Sequence, residues 1–175
     1  MEIRALQEAD SRRAVSRIYE ESWKFAYRGI IPQSYLDGIP AGLWARSLDQ
    51  PGRDHLVVLE DGGPIGTAST GPSRWPDYPE DGEIVSLYLL PAYIGRGYGK
   101  ALLAAAVRVL EAQGYRSILL WVLAENRRAR AFYERAGFHM NGAVMKSVFG
   151  GKRVEELLYR RQISCDAESL PCRSR

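Results

Sequence analysis

Cysteine and histidine are nearly missing from this 175-residue chain, which has two of each. Both cysteines, Cys165 and Cys172, fall in a polar stretch at the end of the chain. They supply neither a disulfide framework nor a zinc site, which needs four close ligands. With only His55 and His139 to add, metal catalysis has little to build on, and no metal is expected. Long apolar runs are missing too. None approaches the roughly 20 residues of a membrane span, and Met1-Glu2-Ile3-Arg4 lacks the apolar core of a signal peptide. The expectation is a cytoplasmic protein with no membrane partner. Charge of one sign is also lacking: 24 basic residues against 21 acidic ones leave +3. Apart from a short arginine cluster at Arg127, Arg128 and Arg130 there is no concentrated basic patch, so no nucleic-acid partner is expected.

What is present is globular, with 46% hydrophobic and 26% charged residues. That balance and length fit one domain, 1–163, followed by a polar tail, 164–175. A strand over Glu2–Leu6 leads to a helix from about Asp10 to Phe25, with Asp10 or Ser11 as N-cap. Short helical pieces follow at Ser34–Ile39 and Leu43–Leu48. His55–Leu59 and Ile65–Thr70 form a hairpin around Asp61-Gly62-Gly63. Gly71 to Asp81 holds three prolines and reads as loop. Then Glu83–Leu90 is an apolar strand, Ala101–Gln113 a helix closed by Gly114, and Ser117–Leu123 another apolar strand. Strand, loop, helix, strand is a βαβ unit, so these two strands are expected to be parallel neighbours. Asn126–Ala136 is a further helix, and Phe138–Met140 and Val154–Arg161 are two last strands.

The loop inside the βαβ unit reads Ile94-Gly95-Arg96-Gly97-Tyr98-Gly99-Lys100-Ala101. Three alternating glycines at a helix N-terminus expose successive backbone N–H groups at the positive end of the helix dipole, which suits an anion. Two familiar phosphate loops fail on spacing. A Walker loop needs glycine where Ile94 stands and Ser or Thr where Ala101 stands. A dinucleotide fingerprint needs its third glycine where Lys100 or Leu102 stands.

The stretch instead resembles the pyrophosphate-binding segment of the GCN5-related N-acetyltransferases, the GNAT superfamily. Gly97 and Gly99 fill its glycine positions, and Ile94 replaces the usual Gln or Arg. A second segment resembles the family's other cofactor element. Asn126 is followed by a helix that ends in Tyr133-Glu134-Arg135-Ala136-Gly137-Phe138. Asn126 and Tyr133 are two helical turns apart, on one face and roughly 10 Å from each other. The resemblance implies an α/β (α+β) fold. It has a mixed, mostly antiparallel sheet of six to seven strands, a central parallel pair splayed to hold the cofactor, and helices on both faces.

It also implies acetyl-CoA as co-substrate and direct acyl transfer to an amine. The backbone at Leu87, Tyr88 and Leu89 would pair with the pantetheine arm. Gly95, Arg96, Gly97, Tyr98, Gly99 and Lys100 would hold the pyrophosphate, with Arg127 or Arg128 near the remaining phosphate charge, and Asn126 would complete the cofactor site. Tyr133 stands at the position of the acid that protonates the leaving thiolate, and the N–H of Leu89 is the simplest oxyanion donor. Some members carry a glutamate base where this chain has Trp121. Glu83, on the expected parity of Leu87 and Leu89, is the candidate base through water, and His139 is the alternative. Trp23 and Tyr27, four apart on the first helix, are candidate acceptor-binding residues, and Trp75 and Tyr78 a mobile wall.

The function expected is acetylation of a small-molecule primary amine that is polyamine-, amino-acid- or antibiotic-like. Acetylation of a protein N-terminus or lysine is the second reading, and a non-catalytic acyl-CoA sensor a third, which the retained Tyr133 disfavours. A homodimer through the terminal strands is also expected from the resemblance.

Overall fold

The computed structural model describes residues 1–163; the expected tail lies outside the described residues. Seven strands form one sheet: β1 (Glu2–Ala5), β2 (Asp54–Glu60), β3 (Gly63–Pro72), β4 (Gly82–Leu89), β5 (Ser117–Leu123), β6 (His139–Phe149) and β7 (Lys152–Gln162). Their order is β1-β2-β3-β4-β5-β7-β6, and every pairing is antiparallel except β4 with β5. The helices are α1 (Arg12–Ala26), α2 (Gln33–Asp37), α3 (Tyr98–Ala112) and α4 (Arg127–Arg135). This is the mixed, mostly antiparallel sheet with one parallel pair that the resemblance implied.

The parallel pair touches only at its start, Gly82 opposite Ile118 and Glu83 opposite Leu119. Beyond those residues the strands part, and the sheet splits down its middle. A bulge sits just past the split. Ser69 of β3 faces Ser86 and Thr70 faces Ile84, which leaves Val85 without a partner. One extra residue bends a strand and reverses the alternation beyond it. Glu83 therefore does not share a face with Leu87 and Leu89, as period-2 reading expects. Ile84 and Leu87 pack in the core with Leu102, Ala106 and Leu110 of α3. Tyr88 turns to the other face, against Val15 and Tyr19 of α1.

Local chemistry accounts for the helix ends. Ser11, not Asp10, caps α1, its hydroxyl accepting from the Ala14 N–H at 3.2 Å. Asp10 is held by Arg4 through two bonds of 2.7 and 2.8 Å. α3 begins three residues earlier than the apolar pattern shows, because Gly97 at φ +89° turns the chain directly into the helix. β6 runs through Phe149, far beyond the expected Met140. Its outer half, 143–149, alternates half-buried and exposed residues and is ordered by pairing with β7 around the Gly150-Gly151 turn.

Candidate active site

Between the parted strands lies a cleft of about 470 Å³, walled by β4, β5, the start of α3 and α4. On its β4 side the Leu90 N–H donates to Ile65 of β3 at 2.8 Å. By strand alternation, the N–H and C=O groups of Leu87 and Leu89 then point away from β3 and into the cleft. One of these groups is already engaged: Ser22 of α1 donates its hydroxyl to the Leu89 carbonyl at 2.7 Å.

The glycine turn closes one end of the cleft. Gly95 and Gly97 hold φ of +83° and +89°, a region that favours glycine. Among the described residues no side chain caps α3, so the N–H groups of Tyr98, Gly99 and Lys100 have neither a capping oxygen nor a helical partner there. A Cβ at Gly95 or Gly97 would meet nothing within 4 Å, so the turn is open toward an incoming group. Free amides, a helix N-terminus and open glycine surface fit a pyrophosphate. Lys100 and Arg128 line the cleft, whereas the Arg96 and Tyr98 side chains do not. Arg96 lies over the Tyr93 ring at 5.5 Å. Tyr98 turns to Glu60, whose carboxylate raises the phenol's pKa. At Arg96 and Tyr98 only the backbone is available to a phosphate.

Asn126 and Tyr133 both face this cleft. Asn126 is also the N-cap of α4, accepting from the Ala129 N–H at 3.2 Å and leaving its amide NH₂ free for a ligand. Tyr133 is packed by Phe132 and Phe138, with centroids 5.2 and 5.9 Å away. Burial, with a smaller contribution from Tyr88, pushes its phenol well above the ordinary range, so it carries its proton at neutral pH.

A second cavity of about 190 Å³ opens on the α1 side of the sheet. It meets the cleft at four shared residues, Tyr27, Val85, Tyr88 and Trp121, so the bulge residue sits at the junction. Trp23 and Tyr27 pack edge to face at 5.0 Å, and Trp75 lies 4.8 Å from Trp121. The Trp23 indole donates to the Tyr88 hydroxyl at 3.0 Å, and the Tyr27 hydroxyl is 3.3 Å from the same oxygen. Burial pushes the Tyr88 phenol up to about 12. The Trp121 indole nitrogen is buried and has no partner among the described residues.

Glu83 lines this second cavity, but its carboxylate is fully engaged. Arg74 donates through Nη2 at 2.7 Å, Nε at 3.0 Å and its backbone N–H at 3.1 Å, and the Trp75 indole adds a contact of 3.3 Å. The expected water-linked base is thus a loop anchor, with no lone pair left facing the cavity. His139 lies exposed at the start of β6 and lines neither cavity. The wall expected to be mobile is tied down. Besides Arg74–Glu83, Arg160 grips Asp81 at 2.7 and 2.8 Å and stacks over Tyr78, whose hydroxyl accepts from Asn141. A residue that sequence reading passed over, Glu156 of β7, also lines this cavity. In Val154-Glu155-Glu156-Leu157 it reads as a solvated strand glutamate, and only the pairing of β5, β7 and β6 brings it under α1.

A sheet split after Glu83, with uncapped backbone amides at one end of the split, is the arrangement that the GNAT resemblance implied. The model of the Acetyltransferase (GNAT) family matches residues 13–138, and the chain belongs to that family. N-acetyltransferase YuaI of Bacillus subtilis, itself uncharacterized, is 31% identical over 114 residues, 64% of this chain and 66% of that protein. Mycothiol acetyltransferase of Beutenbergia cavernae is 46% identical over 68 residues, 38% of this chain and only 23% of its own length. The chain thus spans just under two thirds of the first relative and under a quarter of the second. Among solved structures, PaiA N-acetyltransferase of Thermoplasma acidophilum in complex with coenzyme A superposes with a TM-score of 0.71. The identity is 22%, with 93% of this chain and 98% of that chain covered. Ribosomal-protein-alanine N-acetyltransferase of Brucella melitensis gives 0.69 at 22% identity, covering 93% and 100%. At such identities these two structures speak for the fold.

Proposed function

We propose that this chain transfers the acetyl group of acetyl-CoA to a primary amine of a small molecule, in the cytoplasm. The observation that carries this reading is the junction of the two cavities at Tyr27, Val85, Tyr88 and Trp121. A pantetheine arm laid along β4, against the backbone of Leu87 and Leu89, would present its thioester there. An amine entering through the aromatic cavity would reach the same point from the opposite side.

The chemistry is direct. The amine nitrogen attacks the thioester carbonyl carbon, the C–N bond forms, the C–S bond breaks, the nitrogen gives up a proton and the sulfur gains one. The Leu89 N–H is positioned to meet the developing oxyanion. Tyr133 supplies the donor for the sulfur. A coenzyme A thiol has a pKa near ~8.5, below that of this buried phenol, so Tyr133 acts by donating a strong hydrogen bond as charge develops. Alkylamines have pKa values near ~10 and arrive as ammonium ions, so their proton must leave before attack. Glu83 is occupied by Arg74, and we assign that first proton to water in the aromatic cavity.

The test is thiol release from acetyl-CoA against polyamines, aminoglycosides, amino acids and short peptides. Turnover with at least one small amine is expected. Reaction with peptides alone would transfer the reading to protein acetylation. Binding of acetyl-CoA without any release would make the chain a sensor, and absence of binding would refute the reading. For assembly we propose a homodimer through β6, an edge strand that exposes Met140, Val144 and Val148 by 45%, 47% and 62%. A monomeric mass by light scattering would overturn that.

A further inference from the structure

The reaction as described leaves one acidic side chain of the second cavity without a role. Glu156 stands on β7 opposite Leu123 of β5 and Met145 of β6, half-buried. Ser147 donates its hydroxyl to Oε1. No lysine or arginine forms a salt bridge with Glu156 among the described residues. The other carboxylate of the cavity, Glu83, is neutralised by Arg74 at 2.7 Å. The cavity therefore sets two carboxylates against one guanidinium, Arg74, which also lies within electrostatic reach of Glu156. Around it stand the rings of Trp23, Tyr27, Tyr88, Trp121 and Phe149.

A half-buried carboxylate without a salt-bridge partner attracts a cation, and aromatic faces attract the same cation through their quadrupoles. Inorganic cations prefer cages of several oxygen ligands, and here Glu83 is already taken by Arg74, which leaves one carboxylate beside aromatic rings. Its dimensions, about 190 Å³ of aromatic-walled space, suit an organic body carrying an ammonium group. A carboxylate beside that ammonium would face Glu156, and the one guanidinium lining the cavity among the described residues, Arg74, already has its Nε and Nη2 on Glu83.

We propose that this cavity is the acceptor site and that it selects organic ammonium ions lacking a carboxylate, with Glu156 as the specificity-determining residue. The proposal rests on the acetyltransferase reading only for the identity of the neighbouring cleft. Binding can be followed without acetyl-CoA, by calorimetry and by the emission of Trp23, Trp75 and Trp121, with benzylamine, benzyl alcohol and phenylalanine as probes. Benzylamine is expected to bind about tenfold more tightly than either other probe, in line with a paired charge plus cation–π contact. Glu156→Gln retains an acceptor for Ser147 and should erase that preference while leaving benzyl alcohol within about twofold. Glu156→Asp, which keeps the charge at a shorter reach, should fall between.

Equal binding of the three probes, no binding of benzylamine, or an undiminished preference in Glu156→Gln would each overturn the proposal. Thiol release is a separate arm. If benzylamine binds through Glu156 while no amine releases thiol from acetyl-CoA, the acetyltransferase reading falls and the ammonium site stands.

Discussion

Arg74 clasps Glu83 in a two-pronged ion pair, Nη2 to Oε1 at 2.7 Å and Nε to Oε2 at 3.0 Å, across the foot of the aromatic cavity. Glu83 is 1% exposed and Arg74 is 48% exposed. The pair is thus sealed on the carboxylate side only, and it fixes Trp75 against Trp121.

Removing Arg74 alone strands a buried carboxylate. Fully buried pairs lose about 3–5 kcal/mol when broken this way, and exposed pairs about 0–1. With the guanidinium half in water, Arg74→Met is expected to cost on the order of 2 kcal/mol by urea denaturation. Adding Glu83→Gln should recover part of that loss, because the uncompensated charge is gone. An unchanged midpoint in Arg74→Met would show that the anchor carries no stability.

The glycine turn predicts two substitutions with opposite signs in stability. Gly97→Ala forces a side chain into φ +89° and should destabilise by about 1–2 kcal/mol. Gly99 is inside the first turn of α3, where an added Cβ meets Leu89 and Phe132 at ordinary distances of 3.4 to 3.7 Å. Gly99→Ala should therefore stabilise by about 0.5–1 kcal/mol. Both should weaken acetyl-CoA binding by calorimetry, the first by moving the amides and the second by covering them. Retained affinity in Gly99→Ala would place the pyrophosphate elsewhere.

The parts of the site legible in the sequence are those made by neighbours along the chain. The glycine turn, the cap at Asn126 and the two-turn spacing to Tyr133 depend on local φ/ψ and helical period, and the βαβ order implied the parallel pair. The bulge at Val85 was not legible, since nothing in Ile84-Val85-Ser86 distinguishes a bulge from an even strand, and it reversed the face assigned to Glu83. The engagement of Glu83 by Arg74 depends on how the proline-bearing loop returns to the sheet. Glu156 was hidden for a third reason: its neighbours Trp23, Trp121 and Phe149 come from three distant segments. The outer half of β6 escaped detection because pairing, not composition, orders an exposed edge strand.

Tyr133→Phe separates cofactor binding from chemistry. The ring packing against Phe132 and Phe138 survives, and only the hydroxyl is lost. We expect kcat to fall by roughly 10²-fold, the lower range for losing a hydrogen-bond donor to developing charge, with acetyl-CoA affinity within about twofold. Because burial pushes this phenol upward, its ionisation should leave no alkaline limb in the kcat profile within the ordinary tyrosine range. Such a limb, present in the native enzyme and missing in the variant, would contradict the environment described for Tyr133.

His55 makes the fold acid-sensitive at a point remote from either cavity. It lies in β2 opposite Ser69, 9% exposed, and neither ring nitrogen has a hydrogen-bond partner among the described residues. Burial first, and then the charge of Arg53, lower its pKa from 6.5. The unfolded chain accordingly binds a proton on this ring at a higher pH than the native one does. Stability from keeping the ring neutral is complete above about pH 6.5 and is lost as pH falls below it, down to the depressed native pKa. Urea midpoints measured between pH 7.5 and 5 should therefore decline in the native sequence more steeply than in His55→Leu, which has no proton to take up. Parallel declines in the two proteins would show that His55 does not carry the acid sensitivity of this range, since Asp10, whose pKa Arg4 lowers to about 2, acts only in far more acidic solution.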